Sequence, residues 1–74
     1  MTLYYIRNNA FDIVAVDYGT AAYYTHIVPS DPQETLTALA KVQDFSWWED
    51  DLPIDEILQG TEILATLEVR HDLD

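Results

Sequence analysis

Residues 44–57 read DFSWWEDDLPIDEI, with Trp47 and Trp48 set among six carboxylates: Asp44, Glu49, Asp50, Asp51, Asp55 and Glu56. Carboxylates at this density can bind cations, pair for acid–base catalysis, or present a negative field. A calcium loop alternates its acids and puts a glycine at its sharp turn; the Glu49-Asp50-Asp51 run does neither. Acid–base work needs one carboxyl held in a pocket that raises its pKa. A 74-residue chain has little depth for such a pocket. His26 and His71 are far apart in sequence and there is no cysteine, so no transition-metal ligand set is spelled out. His26 reads as a strand residue and His71 as part of a tail. Ser30 and Ser46 lack a Gly-x-Ser-x-Gly setting, and the two glycines, Gly19 and Gly60, cannot build a phosphate-cradling loop. The chain is therefore expected not to be an enzyme, and no cofactor or metal is expected.

What remains is the field. The formal net charge is −11. Residues 1–28 contribute −1 and residues 29–74 contribute −10, and residues 31–56 alone carry −7. Three isolated basic residues cannot supply the phosphate contacts of nucleic-acid binding against this field. The same repulsion excludes an anionic membrane surface. A positively charged protein is the partner that the charge favours, with fast and salt-sensitive capture. Adjacent tryptophans cannot both point inward on a regular element. One is expected in the core and the other near the surface, where an arginine can stack on the ring while pairing a carboxylate. The alternative is that both tryptophans only seal the edge of a small core.

These residues need a scaffold, and the chain reads as one domain, 1–74. Residues 1–28 read as a three-strand meander. TLYYIR and FDIVAVDY are joined at Asn8-Asn9, and AAYYTHIV follows a turn at Gly19-Thr20. A loop at Asn8-Asn9 places Ile6 opposite Phe11 and Tyr4 opposite Ile13, with Leu3 and Val14 on the other face. The second turn adds Tyr24 and His26 to the first face, and Tyr23 to the second beside Val16. Both faces of the middle strand are then apolar. Antiparallel sheets usually keep one face solvated, so a helix on each side, a dimer mate or a partner must cover the second face.

Residues 31–59 read as two helices joined by the acidic, Trp-containing connection. Asp31 suits an N-cap, Pro32 the first helical position and Glu34 the capping-box acid, with Leu36, Leu39 and Val42 as the inner stripe. The second helix starts at Pro53 and buries Ile54, Ile57 and Leu58. Asp55 and Glu56 lie in its first turn, and Gly60 ends it. With so little helix, the connection must carry part of the core. Residues 61–70 alternate as a final strand, with Ile63, Ala65, Leu67 and Val69 inward and Glu62, Thr66, Glu68 and Arg70 outward. The tail is expected to fray. The expected class is α+β: a four-stranded antiparallel sheet, in the order β-β-β-α-α-β, with helices packed on it.

The absence of cysteine suits a reducing cytoplasm, and MTLYYIRNNAFD lacks the basic start and apolar run of a secretory signal. In size, acidity and lack of a catalytic signature the chain is similar in kind to the small acidic inhibitors of phages and mobile elements. These include anti-restriction and anti-CRISPR proteins. That likeness is one of class and implies no site residues. The residue-based expectation is a non-catalytic inhibitor of a basic, nucleic-acid-handling protein such as a nuclease, imitating DNA in its sharpest form. The binding residues would be Asp44, Glu49, Asp50, Asp51, Asp55 and Glu56, with Trp47 or Trp48 as anchor. The competing expectation is a general protein-interaction module, or a dimeric assembly or immunity-type subunit, that uses an apolar sheet face.

Overall fold

The computed structural model describes residues 1–9, 11–19, 22–42, 45, 48 and 53–69. The elements run β1 (Thr2–Asn8), β2 (Phe11–Asp17), β3 (Ala22–Ile27), α1 (Pro32–Val42), α2 (Ile54–Leu58) and β4 (Glu62–Glu68). They form one four-stranded antiparallel sheet in the order β3-β2-β1-β4, with helices packed on it. The expected α+β class and element order are therefore observed.

The first turn differs from expectation. Asn8 pairs with Phe11 and Ile6 with Ile13, so the turn begins at Asn9, whose φ is +58°. Asparagine tolerates that left-handed region better than most residues. The shift is two residues in register, which leaves every side chain on its expected face. It also sets Arg7 opposite Asp12, an opposite-charge pair that a turn at Asn8-Asn9 would have separated. The second turn follows expectation, with Val16 opposite Tyr23 and Ile13 opposite His26.

Asp12 through Val16 of β2 are all buried, and the chain itself covers both sides of the sheet. On one face Leu3, Tyr5, Val14 and Val16 pack with Leu36 of α1 and with Phe45 and Trp48. On the other, Ile6, Ile13, Ala15 and Ala22 pack beneath Ile57 of α2, flanked by Ile54 and Leu58. A helix on each side is thus the outcome.

Capping of α1 is as the sequence implies. Asp31 Oδ1 accepts from the Glu34 amide at 3.0 Å, and the Asp31 carbonyl accepts from the Thr35 amide. Its inner stripe departs at the end: Leu36 is buried and Leu39 and Ala40 pack beside it, but Val42 is 64% exposed. Steps of three residues drift off a face that repeats every 3.6, so a second such step leaves the stripe. A second departure lies in β4. Tyr5 pairs with Ala65 but Ile6 pairs with Ile63, so Leu64 is an extra residue in a bulge. Leu64, Ala65, Leu67 and Val69 all pack on the α1 side, while Ile63 turns to the opposite face and is 45% exposed. Ile63 is therefore not an inward residue.

These positions give a graded mutational test. Leu36→Ala should cost about 2–5 kcal/mol in urea unfolding, as expected for a fully buried leucine. Val42→Ala and Ile63→Thr should each fall within about 0.5 kcal/mol of the parent.

Candidate functional site: an acidic face and a buried carboxylate

The register collects two kinds of carboxylate. The first is Asp12, the one buried charged side chain among the described residues. Arg7 grips it with two bonds, Nε to Oδ1 at 2.8 Å and Nη2 to Oδ2 at 3.0 Å. The Tyr5 hydroxyl donates to Oδ2 at 2.6 Å. The same hydroxyl oxygen accepts from the Ser30 amide at 2.8 Å. Strand β1, strand β2 and the segment entering α1 thus meet at one phenol. The Arg7 guanidinium, and then the Tyr5 hydroxyl, hold Asp12 below the usual carboxylate range, against the opposing effect of burial. Burial, and then the bond to Asp12, push the Tyr5 phenol up. Near neutral pH the carboxylate stays ionised and the phenol stays protonated. Neither is poised to exchange a proton, and general acid–base chemistry requires that. The cluster fastens the fold together.

The second kind lies nearer the surface, with Asp17 half-buried and Glu68 exposed. Thr2 pairs with Asp17 on one side and Glu68 on the other, so both acids flank it on the face covered by α2. Thr2 Oγ1 donates to Glu68 Oε1 at 2.8 Å, and the chain's amino terminus lies 4.0 Å from Glu68 Oε2. Asp17 Oδ1 accepts from the Gly19 amide at 2.8 Å, which fixes it at the turn. The neighbouring Tyr4 phenol is raised by burial and further by Asp17 and then Glu68. Asp55 and Glu56 stand exposed on α2, above the same face. The Glu56 and Ile57 amides both reach the Pro53 carbonyl, at 2.9 and 3.2 Å, which closes the start of that short helix.

The sheet thereby separates the described charges. Asp17, Asp55, Glu56 and Glu68 lie on the α2 side with no lysine or arginine side chain among the described residues. Arg7 and Lys41 both belong to the α1 side, with Asp12, Asp31, Glu34 and Glu62. Glu62 stands opposite Arg7 and adds to its positive character's support.

Of the eight residues expected to bind a partner, Asp55 and Glu56 lie exposed on α2, and Trp48 is 5% exposed within the core. Trp48 meets Phe45 edge-on with ring centroids 4.7 Å apart. Phe45 in turn lies edge-on to Tyr18 at 6.5 Å, which continues to Tyr23 at 5.6 Å. Trp48 is therefore a core residue, and with Phe45 it carries part of the core. Asp44, Trp47, Glu49, Asp50 and Asp51 lie outside the described residues. Sequence reasoning did not single out Asp17 and Glu68. Their convergence depends on β4 returning to pair with β1, and no local spacing signals that.

No group of three or more His, Asp or Glu side chains with metal-holding geometry occurs among the described residues. Nor is any described helix long and apolar enough to cross a membrane. No protein family, curated protein or solved structure matches this chain.

Two solution measurements follow from these charges. The Asp12 contribution should be present above the ordinary carboxylate pKa of about 4 and lost as pH falls through its lowered value. The Tyr5 contribution should be present below about 10 and lost as pH rises through its raised value. Thermal unfolding across pH should show a plateau between these limits, and Asp12→Asn should lower the plateau and flatten its acid side. Separately, added salt should raise Tm, because it screens repulsion within a chain of net charge −11. A fall in Tm with salt would mean that favourable ion pairs outweigh that repulsion.

Proposed function

We propose that this protein is a non-catalytic acidic inhibitor that docks on a positively charged, nucleic-acid-handling protein such as a nuclease, in the cytoplasm, presenting carboxylates where that protein expects phosphates. The observation that carries the reading is the sorting of charge across the sheet. Four acids, Asp17, Asp55, Glu56 and Glu68, occupy the α2 side, and both described basic side chains belong to the other. The connection between α1 and α2 carries four more acids in its sequence, Asp44, Glu49, Asp50 and Asp51, which lie outside the described residues. The scale is apt. The molecule measures 40 Å along its longest axis. Duplex DNA over that length carries about 24 backbone charges, roughly half of them on any one side. The net charge of −11 is of that size. Trp47 takes the anchoring role beside these acids, because Trp48 is committed to the core. Anti-restriction and anti-CRISPR inhibitors encoded by phages and mobile elements are the class that this reading fits.

A second reading draws on apolar surface. Phe11 is 44% exposed and Ile63 45%, on the face that α2 only partly covers, and Val28 is 80% exposed just past β3. These residues suit an interaction module or immunity-type subunit.

The two readings separate in one experiment. Proteins captured from a lysate should be lost steeply as salt rises and displaced by competing duplex DNA. Replacing Glu49, Asp50 and Asp51 with lysine, or Asp55 and Glu56 with lysine, should abolish capture while leaving circular dichroism unchanged. Undiminished capture by both variants would refute the acidic site. Capture that survives high salt and is lost in Phe11→Ser would favour the apolar reading.

A further inference from the structure

We infer that the Tyr5 hydroxyl is a two-position relay, which turns from Asp12 to the Ser30 carbonyl when Asp12 becomes neutral and so keeps the strap into α1 fastened in both charge states. The strap is residues 28–31, which leave β3 after Ile27 and enter α1 at Pro32. Two acceptors lie within reach of the phenol: Asp12 Oδ2 at 2.6 Å and the Ser30 carbonyl oxygen at 3.2 Å. A phenol has one hydrogen to give, and its oxygen accepts whichever way that hydrogen points. The Ser30 amide donates to that oxygen at 2.8 Å. While Asp12 is ionised it takes the hydrogen, because a bond to a charged acceptor is the shorter and stronger one.

A proton that reaches Asp12 reverses one bond and redirects another. It settles on Oδ2, and the new O–H donates to the phenol oxygen. The phenol hydrogen, displaced from Oδ2, turns to the Ser30 carbonyl. One proton enters from solvent, and the phenol stays protonated. Arg7 Nε keeps its bond to Oδ1, which is now a neutral acceptor, so the arginine grip weakens while the strap gains a second bond. Among the described residues, the ionisable groups that bear on this site are Arg7 and Tyr5 of β1 and, through Arg7, Glu62 of β4. Strand β3 sets Ile27 opposite Asp12. The Asp31 carboxylate is engaged with the Glu34 amide, and Glu34 and Lys41 of α1 are exposed. The relay rests on distances inside the fold, whatever the acidic side binds.

Asp12→Asn reproduces the neutral state at neutral pH, since its amide donates to the phenol oxygen and its carbonyl accepts from Arg7. In that variant the Ser30 carbonyl carbon should move downfield in NMR, as on gaining a donor, and the Ser30 amide should keep its protection from hydrogen exchange. Tyr5→Phe should speed Ser30 amide exchange roughly tenfold, the size of one lost hydrogen bond. Adding Asp12→Asn to Tyr5→Phe should move the Ser30 carbonyl no further. The unaltered chain gives the same readout by acid titration, in which the Ser30 carbonyl and the Asp12 carboxyl carbons should shift with one midpoint. An unmoved Ser30 carbonyl in Asp12→Asn, or separate midpoints in the titration, overturns the inference. So does loss of Ser30 amide protection in Asp12→Asn, or parental exchange at Ser30 in Tyr5→Phe.

Discussion

The constraint on which this molecule depends is the double-sided burial of β2. Five successive residues, Asp12 to Val16, are all buried, so neither face of the strand can be left to water. A chain of 74 residues must therefore supply two covering layers from little material. It does so unequally. Helix α1 with Phe45 and Trp48 covers one face, and the five residues of α2 cover the other. The smaller lid leaves Phe11 and Ile63 partly bare at one end of the sheet. Asp12 sits within this buried run and brings a charge that cannot be left alone there. Arg7, Tyr5 and Ser30 answer it, and in doing so fix both the β1–β2 register and the path into α1.

Much of this was legible from local pattern. The strands, the Asp31 cap, the Pro53 start of α2 and the apolar character of both β2 faces follow from residue types over short windows. So did the need for the acidic connection to contribute to the core, which Phe45 and Trp48 fulfil. Two of the misreadings share one physical cause. The turn at Asn9 and the bulge at Leu64 are decided by tertiary partners rather than by spacing, whereas the outward Val42 follows from the 3.6-residue helical repeat itself. Arg7 finding Asp12 outweighs the preference for a turn one residue earlier. Leu64 stays on the α1 side with its neighbours because the apolar layer there rewards it, and the alternation breaks to allow it. The acidic site was legible in part: Asp55 and Glu56 were named, whereas Asp17 and Glu68 meet only through strands 66 residues apart in their pairing.

The charge distribution runs against stability, since like charges repel in the compact state. The fold separates what it must neutralise from what it displays. Asp12 is buried and fully partnered, whereas Asp31, Glu34, Asp55, Glu56, Glu62 and Glu68 stand in solvent, where water screens them. Both described cationic side chains belong to the α1 side, so the α2 side keeps its negative potential undiluted by lysine or arginine.

The sheet order carries a consequence for biosynthesis. Strand β1 is made first, yet it lies between β2 and β4 and pairs Thr2 with Glu68. While the ribosome is still adding residues, the nascent hairpin of β1 and β2 has one flank open and only part of its covering layer. Closing so long a loop is slow compared with forming adjacent hairpins. Pairing of β4 with β1, rather than emergence of the early strands, therefore sets when the sheet is complete.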